Sequence, residues 1–408
     1  MYPCKHLFQT TLSTPKLSNN SLIINDFCIH FYTSLSEIET ESRHSFGQNK
    51  DLFLSAEYLR VLENKPPRDF KFCYLVFEKR GEVVGFMTCQ IKHFNAGDSL
   101  NFSGRKDGWL TFKKWLAGIV QYNTLIIGNL MLTGDHSFSF DNQILTFEDK
   151  KLLFTEGVEL AKKQLAAKGT KINAVFIKDF PIGSNHHKLV QSLEGYNEFQ
   201  VEPNFVFDIP SEWTKFEDYL DALGSKYRVR AKRAFKKKVG VELKEFNIER
   251  ILAHKTRIND LYKQVCDNSA VNLVHLHEGY FVNLKNELED NFRLFGYFQE
   301  GQLIGFFTTI TNGDDLEAHF LGYDMAQNAA HQLYLNMLFD IIKTGIDQKA
   351  KRIVFARTAH EIKSSVGAVA EEMSLFLKHE NCFFNWILPY ALPLLSPREQ
   401  WTPRQPFK

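Results

Sequence analysis

The stretch LEAHFLGYD, residues 316–324, places an acidic and a basic side chain two positions apart. Alternate residues of a β-strand face opposite sides of a sheet, so the pattern predicts Glu317, His319 and Tyr323 on one face. A histidine that keeps its ordinary pKa of about 6.5 could take a proton from an ammonium group. We interpret Glu317 and His319 as candidate catalytic residues and Tyr323 as a candidate binding residue. The alternative is a partly exposed polar strand face.

A second polar cluster occurs in ARTAHEIKSSVG, residues 356–367, which follows a predicted strand. Residues just past the carboxyl end of a strand are well placed to line a cleft. Within seven positions the segment supplies a phosphate clamp, a base and a cation, from four residues: Arg357, His360, Glu361 and Lys363. The alternative is a solvated loop with ordinary charges.

Eight of the fourteen residues 225–238 are Lys or Arg, although the formal net charge of the chain is only +1. The spacing of Tyr227, Ala231 and Phe235 predicts an amphipathic helix that docks by a narrow apolar face. Its exposed cations would attract a phosphate-bearing substrate or an acidic carrier protein. We assign substrate binding to three of them: Arg230, Arg233 and Lys237. The alternative is a helix that is merely solvated.

Composition narrows the function classes. With 49 basic and 48 acidic side chains, global charge gives no argument for a nucleic-acid binder. His275 and His277 lack a third ligand at persuasive spacing, as do His186 and His187, so we predict no metal site. The six cysteines form no CxxC pair, and neither a secretory signal nor a membrane span is evident. We expect a cytoplasmic protein, with peripheral association at the inner membrane face as an alternative.

The elements that must position these residues form an internal repeat. A hairpin pattern occurs as YLVFEKRGEVVGFMTCQI and again as FGYFQEGQLIGFFTTIT, with Gly81 and Gly85 matching Gly301 and Gly305 at a spacing of 220 positions. In each half a third strand, a helix and a returning strand follow, at residues 123–132, 147–169 and 172–181, and at residues 316–324, 328–345 and 351–358. We predict an α/β (α+β) fold of two tandem units, each a mixed, mostly antiparallel sheet flanked by helices.

The boundary between the units is placed near VFDIPSEW, which gives a first unit at residues 1–210 and a second at residues 211–408. The second unit begins with the basic helix at residues 225–238. Five prolines after residue 385 exclude a regular helix throughout the C-terminal segment. For the Pro-rich tail at residues 389–408 we expect extended chain packed on the second unit, or a contact with a membrane surface.

Three passages resemble the tandem acyltransferase fold of the GNAT superfamily, and more narrowly the Fem-type aminoacyl transferases and their BioF2-like, peptidoglycan-biosynthesis relatives. LGSKYRVRAKRAFKKKVGVEL resembles the basic helix and strand that precede the second domain, and RLFGYFQEGQLIGFFTTI resembles its hairpin. Residues 319–368 resemble its strand–helix–strand, which ends in a Glu-x-Lys…Gly signature. The resemblance covers roughly residues 53–389. It implies direct N-acyl transfer without a covalent enzyme intermediate, with Lys363 facing the reacting groups.

One departure from the family concerns the donor. Acetyl-CoA-dependent members carry a Gly-rich loop at the start of the helix, and its backbone N–H groups bind the pyrophosphate. Residues 323–344 contain no glycine, which favours a bulkier donor. We expect no permanently bound cofactor. The predicted donor is acyl-CoA or an acyl carrier protein bearing a long acyl chain, and the predicted acceptor is an amine in lipid or cell-wall biosynthesis.

Two other functions stay open. A Fem-type transferase would take an amino acid from aminoacyl-tRNA to a cell-wall precursor, the one case in which a nucleic acid is the partner. The long helical pair common in such enzymes has no clear counterpart between residues 240 and 295, which argues against this version. A non-catalytic module of the same fold would instead recognise a carrier protein or nucleic acid through the basic segment.

Overall fold

The computed structural model describes residues 16–17, 20–38, 51–93, 123–268, 274–395 and 401–408. Within these residues the chain forms two β-sheets, and helices pack against both. The predicted mixed α/β fold with two sheets flanked by helices is confirmed.

The strands alternate along the chain with the helices that cover them. The strands are β1 (Lys16–Leu17), β2 (Ser21–Ile24), β3 (Phe27–Tyr32), β4 (Phe70–Lys79), β5 (Glu82–His93), β6 (Asn123–Ile127), β7 (Phe138–Phe140), β8 (Ala174–Pro181), β9 (Asn197–Gln200), β10 (Asn204–Asp208), β11 (Val241–Glu245), β12 (Phe292–Gln299), β13 (Gln302–Asn312), β14 (Asp315–Tyr323), β15 (Arg352–Ala356), β16 (Val369–Glu371) and β17 (Met373–His379).

The helices connect and flank these strands. They are α1 (Ala56–Asn64), α2 (Phe147–Ala167), α3 (Asn185–Gln191), α4 (Phe216–Ala222), α5 (Ser225–Lys237), α6 (Ile248–Ala253), α7 (Lys255–Asp267), α8 (Tyr280–Leu288), α9 (Met325–His331), α10 (Leu333–Asp347), α11 (His360–Ser364) and α12 (Cys382–Leu395). Among the described helices, none combines the length and the apolar character needed to cross a bilayer.

Both sheets are mostly antiparallel. The first has the order β1-β2-β3-β4-β5-β6-β8-β17-β9, with β7 paired to β5, and the second has the order β11-β12-β13-β14-β15-β10-β16. Among the described pairs, β6 with β8 and β14 with β15 run parallel. In each case a helix, α2 or α10, lies between the two parallel strands in the chain and packs on its sheet. Each sheet therefore contains a strand–helix–strand unit of the same kind.

The two hairpins agree even in their irregularities. In β4–β5, Phe77 lies opposite Gly85 and the register shifts at the next residue toward the turn. In β12–β13, Tyr297 lies opposite Gly305 with the same shift at the next residue. The turns also match, since Gly81 and Gly301 both have positive φ, 85° and 78°. The internal repeat inferred from the sequence thus holds at the level of single residue pairs.

Each sheet takes one strand from across residue 210. Strand β10 precedes this position, yet it lies in the second sheet between β15 and β16. Strand β17 follows it, yet it lies in the first sheet between β8 and β9. The boundary at residues 210 and 211 stays a prediction, and the sheets do not follow it.

One hydrophobic cluster joins the two units. It contains Tyr58 and Tyr74 from the first unit and Tyr280 and Phe306 from the second, all buried. Separate clusters lie under α2 in the first unit and under α10 in the second. The shared cluster holds the units against each other, so a site between them has a packed support.

The C-terminal segment is partly helical. The expectation of extended chain from residue 389 is wrong for residues 389–395, which belong to α12. Pro389 has no N–H for the carbonyl of Asn385, and that carbonyl accepts from Nδ2 of Asn197 instead, at 3.4 Å. Residues 401–408 are extended, and Phe407 packs against Trp213 and Phe207 of the second unit. Residues 396–400 lie outside the described part.

Candidate active site

The parallel strands β14 and β15 separate partway along the second sheet. They pair at three positions, of which Glu317 opposite Val354 is the last. Beyond that pair a cavity of about 680 Å³ opens between residues 318–323 and residues 355–359. We call this opening the second splay. It leaves backbone groups of β14 without a strand partner on the β15 side, in the part of the chain that is described.

A β-bulge in β14 changes which side chains share a face. Thr308 of β13 lies opposite two residues of β14, and its hydroxyl donates to the carbonyl of Phe320 and accepts from its N–H, both at 2.9 Å. Past the bulge, Tyr323 packs on the same core as Ala318. The prediction that Tyr323 shares a face with Glu317 is therefore wrong, because the extra residue shifts the two-residue period by one.

The cavity has a mainly apolar wall with a few polar groups. The apolar part includes Tyr262, Val265, Phe307, Tyr334, Leu338 and Ile341. Four of the predicted site residues line it as well: His319, Tyr323, Arg357 and Lys363. Leu130, Met131 and Thr133 of the first unit close one side. Such a lining suits a substrate with an apolar body and a small number of polar atoms.

His319 is anchored in the cavity wall by Tyr280. The Nε2 atom of His319 lies 2.8 Å from the Tyr280 hydroxyl. Burial lowers the pKa of His319 to about 3, because a protonated imidazole would lose its hydration there. The expected pKa near 6.5 is therefore wrong, and the ring is neutral at physiological pH. A neutral ring of this pKa can donate a hydrogen bond, but it is a poor acceptor for the proton of an ammonium group.

Glu317 does not line the cavity and faces charges of the first unit. Burial is the main cause that raises its pKa to about 8. The charges that act on it belong to His136, Asp315, Asp51 and Arg352. His136 bonds Asp51 at 2.9 Å, and although burial alone would lower the pKa of His136, this carboxylate raises it to about 9. The structure therefore gives Glu317 and His319 separate partners.

Lys363 stabilises a strained turn at the cavity edge. Its ammonium donates to the carbonyl of Ala356 at 3.0 Å and to that of Arg357. In this turn Ala356, Thr358 and Ala359 have φ values of 56°, 69° and 53°, which side chains other than glycine rarely adopt. Burial lowers the pKa of Lys363 to about 7. The residue thus combines a structural contact with an amine that exchanges its proton near neutral pH.

Arg357 reaches the cavity from the same turn, but its guanidinium is already engaged. It pairs with Asp179 of the first unit, and its Nε donates to the carbonyl of Glu202 at 3.0 Å. Asp179 is fully buried and also pairs with Lys178. These contacts join the two units beside the cavity. A phosphate clamp at Arg357 stays a prediction.

His360 and Glu361 lie on α11 and do not line the second splay. The ring of His360 is buried between Phe205 and Trp401, each at 5.5 Å between centroids. Glu361 is exposed and pairs with Arg404 of the tail at 2.9 Å. The structure therefore separates these two residues from Arg357 and Lys363, and their predicted roles in substrate binding stay untested.

The basic helix α5 borders a second pocket of about 500 Å³. We call it the basic pocket. It is lined by Lys226, Tyr227, Arg230, Arg233, Glu361, Ile362 and Arg404. The buried face of α5 contains Ala231 and Ala234, as the helical spacing predicted. Ile362 lines both this pocket and the second splay, so the two are neighbours. Lys237 lies elsewhere, with its Nζ 3.4 Å from the carbonyl of Ala329.

The segment after β14 forms two helices where the sequence predicted one at residues 328–345. Gln332 interrupts it with φ 49°, and the amide of Asn336 donates to the carbonyls of Gln332 and Ala234. The side chain of Asp324 accepts from the N–H groups of Ala326 and Gln327 at the start of α9. A carboxylate therefore occupies the first turn and accepts from N–H groups that could otherwise bind a phosphate.

Sequence reasoning missed four residues in and around the site: Tyr58, Lys178, Asp179 and Tyr280. Tyr280 holds His319, and Lys178 donates to the carbonyls of Asn129 and Leu132, at 2.9 and 2.7 Å. The Lys-Asp pair was visible as two charges inside the apolar strand FIKDFP. The tyrosines gave no signal, because their role depends on contacts between the two units.

Comparisons with known proteins bear on the fold. No protein-family model matches the chain, and no curated protein matches it. Among solved structures, FemX is similar over 88% of this chain and 98% of its own, at 13% identity and a TM-score of 0.52.

Two further solved structures resemble the chain. One is a tandem GNAT protein from the clavulanic acid biosynthesis pathway, at 9% identity and a TM-score of 0.49, over 86% of this chain and 99% of its own. The other is the C-terminal domain of a putative lysylphosphatidylglycerol synthetase from Agrobacterium fabrum, at 10% identity and a TM-score of 0.47, over 88% and 96%. The similarity to FemX, at a TM-score above 0.5, shows that the chain shares the fold of that protein.

Proposed function

We propose that the chain is an N-acyltransferase that moves an acyl group from a thioester donor to an amine. The observation that carries the proposal is the second splay, an open, mainly apolar cavity between the parallel strands β14 and β15. An extended donor arm can lie along the unpaired edge of β14, as a peptide adds to a sheet edge. The apolar wall then accommodates the acyl chain.

The chemistry needs no covalent enzyme intermediate. The amine nitrogen attacks the carbonyl carbon, a C–N bond forms, and the C–S bond breaks with its electron pair on sulfur. The amine loses one proton, and the leaving thiolate takes it up directly or through water. The lowered pKa of Lys363 supports proton exchange near neutral pH at the cavity edge.

The features around α9 and α5 favour a donor that is not held like acetyl-CoA. The Asp324 carboxylate already accepts from the N–H groups of Ala326 and Gln327 at the start of α9, so these donors are not free for a phosphate. The basic pocket, which shares Ile362 with the second splay, offers three cations, Lys226, Arg230 and Arg233, beside the ion pair of Arg404 with Glu361. The phosphate of a carrier-linked or CoA-linked donor would bind there, while its acyl chain enters the second splay.

A second candidate is aminoacyl transfer from tRNA to a cell-wall precursor. The observation in its favour is the open basic pocket, because clustered cations also suit a nucleic-acid backbone. Against it, the α-helices among the described residues between Gly240 and Phe292 are the short α6, α7 and α8. The mainly apolar wall of the cavity also suits an acyl chain better than a polar aminoacyl group.

The test is a transfer assay with purified protein. Acyl-CoA and acyl-carrier-protein thioesters of several chain lengths are incubated with a panel of amines, and the released thiol and the N-acyl product are quantified. Consumption of long-chain thioesters with formation of the amide supports the proposal. No thiol release with any pair contradicts it, and transfer from aminoacyl-tRNA in the same assay establishes the second candidate in its place.

A further inference from the structure

A set of hydrogen bonds in the first unit ends at the hydroxyl of Tyr58. The N–H groups of Leu130 and Met131 donate to Oε1 of Gln90 and Oδ1 of Asn129, both at 3.0 Å. The Gln90 amide donates to the same Asn129 oxygen at 2.9 Å. Because a backbone N–H can only donate, these contacts fix which side-chain atom of Gln90 and Asn129 is the oxygen.

The next links have a direction for the same reason. The amide nitrogen of Asn129 donates to the hydroxyl oxygen of Tyr58 at 3.1 Å. Tyr58 and Tyr280 are both fully buried. Among the described residues, Nε2 of His319 is the hydrogen-bond partner of the Tyr280 hydroxyl, at 2.8 Å. A buried hydroxyl proton without an acceptor is disfavoured, so Tyr280 donates its proton to Nε2.

We propose that His319 is fixed as the Nδ1–H tautomer and presents this N–H to the carbonyl oxygen of the acyl group in the second splay. Nε2 accepts from Tyr280, so a neutral ring must carry its proton on Nδ1. Nδ1 has no partner among the described residues, and the ring lines the cavity. The role toward the acyl group rests on the proposed function, whereas the tautomer does not.

The proposal assigns distinct roles to the residues of the chain. His319 is the catalytic residue, because its N–H stabilises the oxyanion that develops as the amine adds to the carbonyl. Tyr280 is the positioning residue that acts through it.

The tautomer is measured by two-bond ¹H–¹⁵N correlation on protein labelled with ¹⁵N-histidine, and the His319→Gln spectrum identifies the signal. We expect Nδ1 of His319 in the protonated range and Nε2 in the unprotonated range, unchanged between pH 5 and 8. Tyr280→Phe removes the donor to Nε2 and should shift the signals toward a mixture of the two tautomers. Tyr219→Phe removes a buried hydroxyl that donates to the carbonyl of Val366 and makes no contact with His319, so it should not change the His319 signals. A protonated Nε2 in the unaltered protein would overturn the proposal.

Two isosteric variants test the role of His319 in transfer separately from its tautomer. His319→Asn keeps an N–H near the position of Nδ1, and His319→Gln moves it toward that of Nε2. We expect kcat/KM to fall about 100-fold in His319→Gln, the loss typical of one oxyanion donor, and less than about tenfold in His319→Asn. Equal losses in both variants would overturn the donor role. The nuclear magnetic resonance experiment needs no transfer activity. A wrong tautomer and a wrong proposed function are therefore distinguishable.

Discussion

The two units contain the same splay, open in one and filled in the other. In the first unit β6 and β8 pair as far as Ile127 and Ile177, the counterparts of Glu317 and Val354. The next residue of β8 is Lys178, which spans the gap to the carbonyls of Asn129 and Leu132. The second splay has Phe355 at this place and keeps its cavity.

The similarity extends to the backbone beyond the last pair. Asp179 has φ 68° and its counterpart Ala356 has φ 56°, so both strands contain the same left-handed step two residues after the last parallel pair. Gly128 is required in the first unit, because a Cβ there would come within 2.9 Å of Cγ of Lys178. The comparison shows one scaffold used in two ways. In the first unit the cavity is filled, and this unit supports the site of the second through Asp179, which pairs with Arg357.

The largest expected effect comes from emptying the filled splay. Lys178→Met removes one partner of a fully buried ion pair and leaves Asp179 with Arg357 alone, so the free energy of unfolding should fall by about 3–5 kcal/mol. Urea unfolding measures it. Lys162→Met, which removes a half-buried surface ion pair on α2, is the matched control and should cost less than about 1 kcal/mol. Equal losses would mean that the filled splay does not stabilise the first unit.

Filling the open splay should abolish transfer and spare the fold. Ala318→Trp places an indole in the cavity, and a misplaced donor should lower kcat/KM about 100-fold or more. Ala330→Trp, at an exposed position of α9, should retain full activity. Circular dichroism checks that both variants fold. Full activity in folded Ala318→Trp would show that the substrate binds elsewhere.

The buried carboxyl of Glu317 should make stability depend on pH. Its pKa is raised from 4.5 to about 8, so between these values the folded protein holds a proton that the unfolded chain has released. The free energy of unfolding should therefore fall as pH rises, by at most about 1.4 kcal/mol per pH unit.

Glu317→Gln cannot lose a proton at this position. Its free energy of unfolding should therefore rise progressively relative to that of the unaltered protein between pH 4.5 and 8. His136, Asp51, Asp315 and Arg352 are the charges that face this group, and they stay in the variant. Glu300→Gln, in the exposed β12–β13 turn, is the control and should show no such trend. A constant difference between Glu317→Gln and the unaltered protein would contradict the raised pKa.

The matched glycines of the hairpins should differ in their tolerance of a methyl group. A Cβ at Gly85 would overlap the Phe140 ring and lie 3.1 Å from the carbonyl of Ser139, so Gly85→Ala should cost about 1–3 kcal/mol. A Cβ at Gly305 would meet the flexible end of Met337, at 2.8 Å, and Gly305→Ala should cost less. Thermal unfolding of the two variants compares them, and the reverse order would contradict the account.

The smallest effect is expected in the basic pocket. Arg230→Glu with Arg233→Glu should raise KM for an anionic donor about tenfold at low salt, and the difference should shrink as salt screens the charges. Lys236→Glu with Lys237→Glu reverses two charges on the same helix outside the pocket and is the control. An equal rise in KM for the control would reduce the effect to net charge.

The sequence predicted the repeated hairpins and the two sheets because their patterns are local. It placed His319, Tyr323, Arg357 and Lys363 in the segments that line the cavity, since residues near strand ends meet at one sheet edge. The β-bulge of β14 opposite Thr308 could not be predicted, because it depends on the pairing between two strands. The low pKa of His319 and the bond to Tyr280 also required the folded core.

The central claim is that the second splay binds the acyl chain of the donor. The most direct measurement is a crystal structure with a non-hydrolysable thioether analogue of an acyl-phosphopantetheine. We expect the acyl chain to lie between β14 and β15, against Tyr334 and Ile341, with the phosphate near Arg230 and Arg233. Occupancy in the first unit, or an empty second splay at a saturating concentration, would contradict it.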